Sequence, residues 1–367
     1  MSQVMIIGTT AMMIYHHRRE LIKALINEGH QVSVIAPADD EAKNLISLGV
    51  SFYPAEIETR GTSVTADLSL LRNLIRIIRK VKPDVVLTFY TKTNIYGGIA
   101  CRLTGVPYIE NITGLGTALT GGGILSKIMH ALYGFAVKKA SAVFFQNSHN
   151  REYFRSHNLW CGKSTLLPGS GVSLERFNPI EYPAENVPVE FLFVGRVMKE
   201  KGIEEYLTAA RLMKEKYPDT VFHVVGPCSP EYEEIIEKAV KRGDIEFHGK
   251  VLDTTPYMKR SHAMVFPSYY PEGMANVLLE SSASCRPVIT TPLPGCKDAM
   301  DDGVTGLLTP PQNAEELART LEKFILLPYQ KRKEMGLAAR CKMEKEFNRE
   351  IIINAYLKEI TAATAAH

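Results

Sequence analysis

The sequence predicts an α/β protein built from two doubly wound, mostly parallel sheets that face each other across a cleft. Three observations predict it. Short apolar runs alternate with helical patterns along the first half, the order that gives a parallel sheet with helices on both faces. The alternation stops at the Pro-rich stretch "IEYPAENVP", near residues 180–188, and then starts again. At 367 residues the chain exceeds one ordinary core and suits two domains. The expected boundaries are 1–180 and 188–349. No fixed-period repeat relates the halves.

The elements follow in order. "VMIIG" is a first core strand, and "YHHRRELIKALINEG" a helix ending at Gly29. "QVSVIAP" is a strand, "LSLLRNLIRIIRKVKPD" a helix, "VVLTFY" a strand, "NIYGGIACRLTG" a helix and "PYIENITG" a strand. A glycine-rich turn leads to the long helix "ILSKIMHALYGFAVKKA" and the strand "AVFFQNS". "STLLPGSGVSLERFNP" closes this half. After the break come strand "EFLFVGR", helix "GIEEYLTAARLMKEKYP", strand "VFHVVGP", helix "EYEEIIEKAVKRG", strand "IEFHG", short helix "TTPYMKRS" and strand "AMVFPS". "PEGMANVLLESSASC" reads as a loop entering a buried helix. "PVITTP", "GLLTPP" and a helical tail from "AEELARTLEKFILL" onward complete the chain.

Composition bounds the chemistry. Apolar residues make up 45% and charged residues 23%, ordinary for a globular protein, and the net charge of +3 gives no global field favouring nucleic acid. Six scattered cysteines form no CxxC pair, which argues against a zinc site and a disulfide framework and fits a reducing cytoplasm. Charges follow the first apolar run within a few residues, so it reads as a strand and not a signal peptide. No run of eighteen apolar residues occurs, so any work at a membrane would be done from its surface.

Ligands of doubly wound sheets bind beyond the carboxyl ends of the strands. A Rossmann-like dinucleotide site would place G-x-G-x-x-G after "VMIIG"; the chain has Gly8, Thr9, Thr10 and Ala11, and Walker A is absent. Gly8 and Thr9 remain candidates for close approach to a ligand, with a tight strand-to-helix turn an equal reading. "FVGRVMKEKGIEEYL" offers more. Arg196 and Lys201 stand between a strand and a helix, where a fork and a point charge can neutralise a diphosphate. Amides around Gly273, Met274, Ala275 and Asn276 would begin a helix whose dipole attracts phosphate. No Asp-x-Asp occurs, so neither a metal nor another cofactor is expected; the cations and helix terminus take the metal's part. Glu272, before the helix, would reach the sugar of a nucleotide sugar. Glu280, inside it, would accept both ribose hydroxyls, against the plainer reading of an acid paired with a lysine. Gly249 and Val251 of "FHGKV" would read a uracil edge with backbone groups.

Together "EGMANVLLE", "RPVITTPLPG", "FVGRVMKEKGI", "FHGKV" and "LPGSGVSLERFNP" resemble retaining glycosyltransferases of family four, and the resemblance spans nearly the whole chain. It implies the GT-B fold and a final helix, residues 350–367, returning to the N-terminal, acceptor-binding domain. "NITGLGTALT" and "EGMANVLLE" are most similar to the branch that builds bacterial capsule, O-antigen and protein-linked glycans on polyprenyl diphosphate, with UDP-sugars, often N-acetylhexosamines, as donors. The implied enzyme transfers sugar with retention to a polyprenyl-diphosphate-linked saccharide at the cytoplasmic face of the inner membrane. Two departures stand out. Ala275 occupies a frequent glycine, and Asn111 and Thr113 stand where many members carry a histidine near the reacting sugar. His16 and His17 could substitute, but read better as helix decoration. Basic amphipathic stretches, Arg72, Arg76, Arg79 and Lys80 beside Leu71, Leu74, Ile75 and Ile78, and Lys127, Lys138 and Lys139 on an apolar helix, suggest an anionic membrane surface as partner. The alternatives are an enzyme like the UDP-N-acetylglucosamine 2-epimerases, and a non-catalytic nucleotide-sugar-binding scaffold.

Overall fold

The computed structural model describes residues 1–58, 63–115, 119, 121–159, 162–270 and 273–365. The chain divides into two compact units, Met1–Ser170 with Arg349–His367, and Gly171–Asn348.

Among the described residues the first unit holds seven strands: β1 (Gln3–Ile7), β2 (Gln31–Ala36), β3 (Ser51–Pro54), β4 (Val85–Phe89), β5 (Tyr108–Ile112), β6 (Ala142–Phe145) and β7 (Ser164–Leu166). They lie in the order β3-β2-β1-β4-β5-β6-β7, with every pair parallel. β4 and β5 are buried along their whole length, as strands covered on both faces must be. The helix Ala11–Asn27 follows β1; the Thr10 hydroxyl accepts the Met13 amide at 3.0 Å and caps it. The sequence pattern did not disclose β3 or the helix Ala42–Ser47 before it. β3 is a short, half-exposed edge strand and carries no apolar run of its own.

The second unit holds β8 (Glu190–Val194), β9 (Val221–Val225), β10 (Glu246–Phe247), β11 (Ala263–Phe266), β12 (Val288–Thr290) and β13 (Gly306–Leu308). Their order, β10-β9-β8-β11-β12-β13, repeats the first sheet's scheme, again all parallel. In each sheet the strand order reverses once, between β1 and β4 and between β8 and β11. The crevices outside the carboxyl ends at those points are where a doubly wound sheet takes its ligand.

The unit boundary lies earlier than the Pro-rich stretch: residues 171–188 belong to the second unit. Arg286 supplies the reason. It is 1% exposed, and its guanidinium donates to the Ile180 carbonyl at 3.0 Å and the Glu181 carbonyl at 2.7 Å, as well as to Met258 at 2.7 Å. Carbonyl oxygens thus solvate a buried cation and fasten the stretch to the second unit. Val172 also bridges to Asn348.

The helix Arg349–Ala365 packs in the first unit. Ile352, Tyr356, Ile360 and Ala363 join the core of β1, β2, β4 and β6. Arg349 meets Glu20 at 2.7 Å, and Lys163 meets Glu359 at 2.6 Å.

Candidate active site

In the second unit, β8 runs out through Gly195 into Arg196, which is exposed, and then into a short turn, Lys199–Lys201. Gly202 ends the turn at φ 77°, and a Cβ there would lie 2.3 Å from the Pro267 carbonyl oxygen. Glycine alone permits both the left-handed backbone and this approach. The approach brings the loop after β8 against the loop after β11. The Glu200 carbonyl accepts the amides of Tyr269 and Tyr270, each at 2.9 Å, and the Ser268 hydroxyl at 3.2 Å. Lys201 Nζ consequently stands 5.4 Å from the Phe266 ring centre and 4.9 Å from that of Tyr270. Aromatic faces steer this half-buried ammonium group without neutralising its charge.

The next loops are tied in the same way. Thr291 Oγ1 donates to the Ser268 carbonyl at 2.6 Å, and the Ala275 amide donates to the Gly295 carbonyl at 2.9 Å. The loops after β8, β11 and β12 therefore form one hydrogen-bonded rim at the switch point. Gly273, Met274 and Ala275 are buried in it, Ala275 is the N-cap, and the helix Asn276–Ala283 starts at Asn276. One expectation needs correction: the Ala275 amide is spent on Gly295, so it is not among the donors left for a phosphate. Glu280 lies in the second turn of this helix, half-buried. Glu272 lies outside the described residues. Gly249, at φ 63°, gives its carbonyl to the Gly226 amide at 2.8 Å, and Val251 is half-buried two residues on.

The first unit treats its candidates differently. The Gly8 amide donates to the Ile35 carbonyl at 3.1 Å, and a Cβ on Gly8 would lie 2.7 Å from the Ile14 side chain. Thr9 is buried, with its hydroxyl 3.6 Å from Met13 Sδ. The tight-turn reading accounts for both. Asn111 is also corrected. It is 1% exposed; its amide nitrogen donates to the Tyr356 hydroxyl, and its side-chain oxygen accepts from Gln146 at 3.3 Å. Its side chain joins β5 to the final helix and is not turned to a sugar. Thr113, half-buried just past β5, remains at the carboxyl end.

His16 and His17 do not decorate an exposed surface, since both are half-buried on the helix Ala11–Asn27. Burial, then the charges of Arg18 and Arg349, lowers the His17 pKa to about 3, too low for a base at neutral pH. Tyr90 went unnoticed in the sequence. It directly follows β4 at the switch point with φ 74° and ψ 155°, a region that side chains rarely enter. Nearby, a pocket of about 870 Å³ opens beside the ends of β2 and β3, lined in part by Glu56, Asp67, Arg72, Arg76 and Lys92. Lys92 is 2.7 Å from Asp67.

Two family models match the chain. Residues 177–342 match "Glycosyl transferases group 1", and residues 5–147 match "Glycosyl transferase 4-like". Solved structures share the fold from end to end. A sucrose-phosphate synthase from Thermosynechococcus elongatus superposes with TM-score 0.81 at 19% identity, over 100% of both chains. Anabaena HepE, solved in complex with UDP and glucose, gives 0.78 at 15%, over 99% of this chain and 100% of its own. The chain is a GT-B glycosyltransferase. Among its relatives is the N,N'-diacetylbacillosaminyl-diphospho-undecaprenol alpha-1,3-N-acetylgalactosaminyltransferase of Campylobacter jejuni, 25% identical over 94% of either chain. The UDP-Gal:alpha-D-GlcNAc-diphosphoundecaprenol alpha-1,3-galactosyltransferase of Escherichia coli is 25% identical over 74% of each. For this glycosyltransferase, the second unit's rim and the first unit's pocket are the two candidate sites.

Proposed function

We propose that this glycosyltransferase moves a sugar, an N-acetylhexosamine, from a UDP-sugar to a polyprenyl-diphosphate-linked saccharide, with retention and an α-linkage. The observation that carries the reading is the tie between the loops after β8 and β11. The Glu200 carbonyl binds three groups of the β11 loop and so holds Lys201 at the switch point, with exposed Arg196 on the same loop. Two cations and a helix start are the equipment for a departing diphosphate without a metal ion. In this mechanism Arg196, Lys201 and the Asn276 helix end stabilise the leaving UDP as the bond to the anomeric carbon breaks. Its β-phosphate oxygen takes the acceptor's proton on the same face. Glu272 orients the sugar and Glu280 holds the ribose. The Campylobacter and Escherichia relatives, both named for undecaprenyl-diphosphate-linked sugars and an alpha-1,3 linkage, support the acceptor class and the linkage. Arg72 and Arg76 of the first unit's pocket offer guanidinium groups to a lipid diphosphate, although Glu56 and Glu58 line it too and Lys92 is paired with Asp67.

The test incubates the purified enzyme with UDP- and GDP-sugars, with and without undecaprenyl-diphosphate-linked saccharide, and follows nucleotide release and product anomeric configuration. Acceptor-dependent UDP release giving an α-product is expected. Lys201→Ala should reduce kcat by about 10²–10³, the usual effect of removing one preorganised charge stabiliser. A β-product, UDP release with a free epimerised sugar, or binding without turnover would each overturn the proposal.

A further inference from the structure

A second cluster of chemistry-bearing side chains lies away from the rim, on β9 and β10. His223, in the middle of β9, is 0% exposed, and Glu246 is its register partner on the edge strand β10. His248 follows two residues later; its amide continues the ladder by donating to the Val224 carbonyl at 2.9 Å. Three ligand-type atoms converge. His223 Nδ1 is 3.1 Å from His248 Nε2 and 3.3 Å from Glu246 Oε2, and the last two are 3.8 Å apart. A tetrahedral Zn²⁺ with bonds near 2.1 Å has ligands roughly 3.4 Å from one another. The three separations bracket that value.

The surroundings supply an independent observation. The other nitrogen of His223, Nε2, is 2.8 Å from Glu190 Oε2, and Arg260 Nε is 3.2 Å from the same oxygen. Glu190 Oε2 can only accept from the Arg260 guanidinium, and accepting also from His223 it places the ring proton on Nε2. In the neutral ring Nδ1 then presents its lone pair to Glu246 and His248. A carboxylate that orients a metal-binding histidine through its far nitrogen is the recurrent support of zinc sites. Tyr257 packs against the His248 ring at 4.5 Å between ring centres and so helps to fix its orientation.

We propose that His223 Nδ1, His248 Nε2 and Glu246 Oε2 bind a divalent transition metal of the zinc class, with Glu190 as the positioning residue and a fourth position open on the side where Glu246 is half-exposed. The ion clamps the edge strand to β9. It thereby fixes the segment that leaves through Gly249, whose carbonyl holds the Gly226 amide. The role is structural and separate from the diphosphate, so it stands whether or not the proposed donor chemistry is right. It differs from the expectation that cysteine spacing set, because two strands, not a CxxC pair, assemble the ligands.

The experiment dialyses the full-length protein against chelator, then adds Zn²⁺ and, in parallel, Co²⁺. One equivalent should bind, with the visible absorption of a tetrahedral Co²⁺ centre, and the melting temperature should rise by several degrees at saturating Zn²⁺. His248→Gln and Glu246→Gln should abolish the stoichiometric site. Glu190→Gln should weaken it by about 10–100-fold while leaving the cobalt spectrum tetrahedral. Glu246 lies on an exposed edge, so Glu246→Gln tests the site without endangering the fold. No stoichiometric binding, or binding and spectra unchanged in Glu246→Gln and His248→Gln, would overturn the proposal. The second result would show that the metal sits elsewhere, and the first that these side chains hold one another by hydrogen bonds alone.

Discussion

Glu110 is fully buried on β5, and neither carboxyl oxygen has a hydrogen-bond partner among the described residues. Burial pushes its pKa well above the usual carboxylate range, so it stays protonated in the folded protein. The sign of the linkage follows. Below the ordinary carboxylate pKa the group is neutral folded and unfolded, and stability is intact. As pH rises, the unfolded chain ionises and the folded one does not, so stability falls toward neutrality. Glu110→Met should raise the urea-unfolding free energy by about 1–3 kcal/mol at neutral pH, with the gain shrinking as pH drops toward 4. A variant no more stable than the parent at any pH would show that the carboxyl is satisfied. At this scale legibility was uneven. The place of Lys201 and Arg196 on the loop after a strand was legible in the sequence. Asn111 did not, because its partner Tyr356 lies 245 residues away and no local pattern links them. The strain at Tyr90 is equally silent, since backbone angles leave no trace in residue type here.

Among the elements, the two basic amphipathic helices separate. The helix Val64–Val81 buries Leu70, Leu74, Ile77 and Ile78 in the core, so its apolar face is already used; Arg72 and Arg76 line the pocket instead. The sequence could not tell a core-facing stripe from a lipid-facing one, because the periodicity is identical. The helix Gly123–Val137 leaves Ile124 79% exposed and Ile128 50% exposed beside exposed Lys127. No helix among the described residues is long and apolar enough to cross a membrane. Surface attachment through this helix would suit the proposed lipid-linked acceptor. Co-sedimentation with anionic vesicles should fall at least several-fold in Ile124→Ser/Ile128→Ser, and fall with added salt in the parent. Equal binding by parent and variant would place any membrane contact on another element. Strands read well where they were apolar runs, and even the two-residue β10 was read within "IEFHG", but the short, half-exposed β3 was not.

For the whole molecule, the alternation of runs was enough to foresee two doubly wound sheets, and "FVGRVMKEKGI" with "EGMANVLLE" was enough to foresee the reaction class. The unit boundary was not foreseen, because Pro-rich composition signals a linker and says nothing of the buried Arg286 that holds Ile180 and Glu181. The helix Arg349–Ala365 completes the first unit's core with Ile352, Tyr356 and Ile360. Large buried side chains contribute about 1.5–3 kcal/mol each, so losing three removes about 4.5–9 kcal/mol, comparable with the lower part of a domain's margin of about 5–15 kcal/mol. A chain cut after Asn348 should therefore lose the cooperative unfolding transition of the first unit and keep that of residues 171–348, as separate urea transitions would show. Two unchanged transitions would mean that the helix is dispensable. The same helix sets an order of events at the ribosome. Every residue of the second unit is synthesised before the stretch that finishes the first. The nascent amino-terminal half must wait, its core open, through almost two hundred further residues of translation, while the later-made half can close as soon as it emerges. For this chain the usual sequence, in which what is made first folds first, is inverted, and the interval is when the unfinished half has most need of a chaperone.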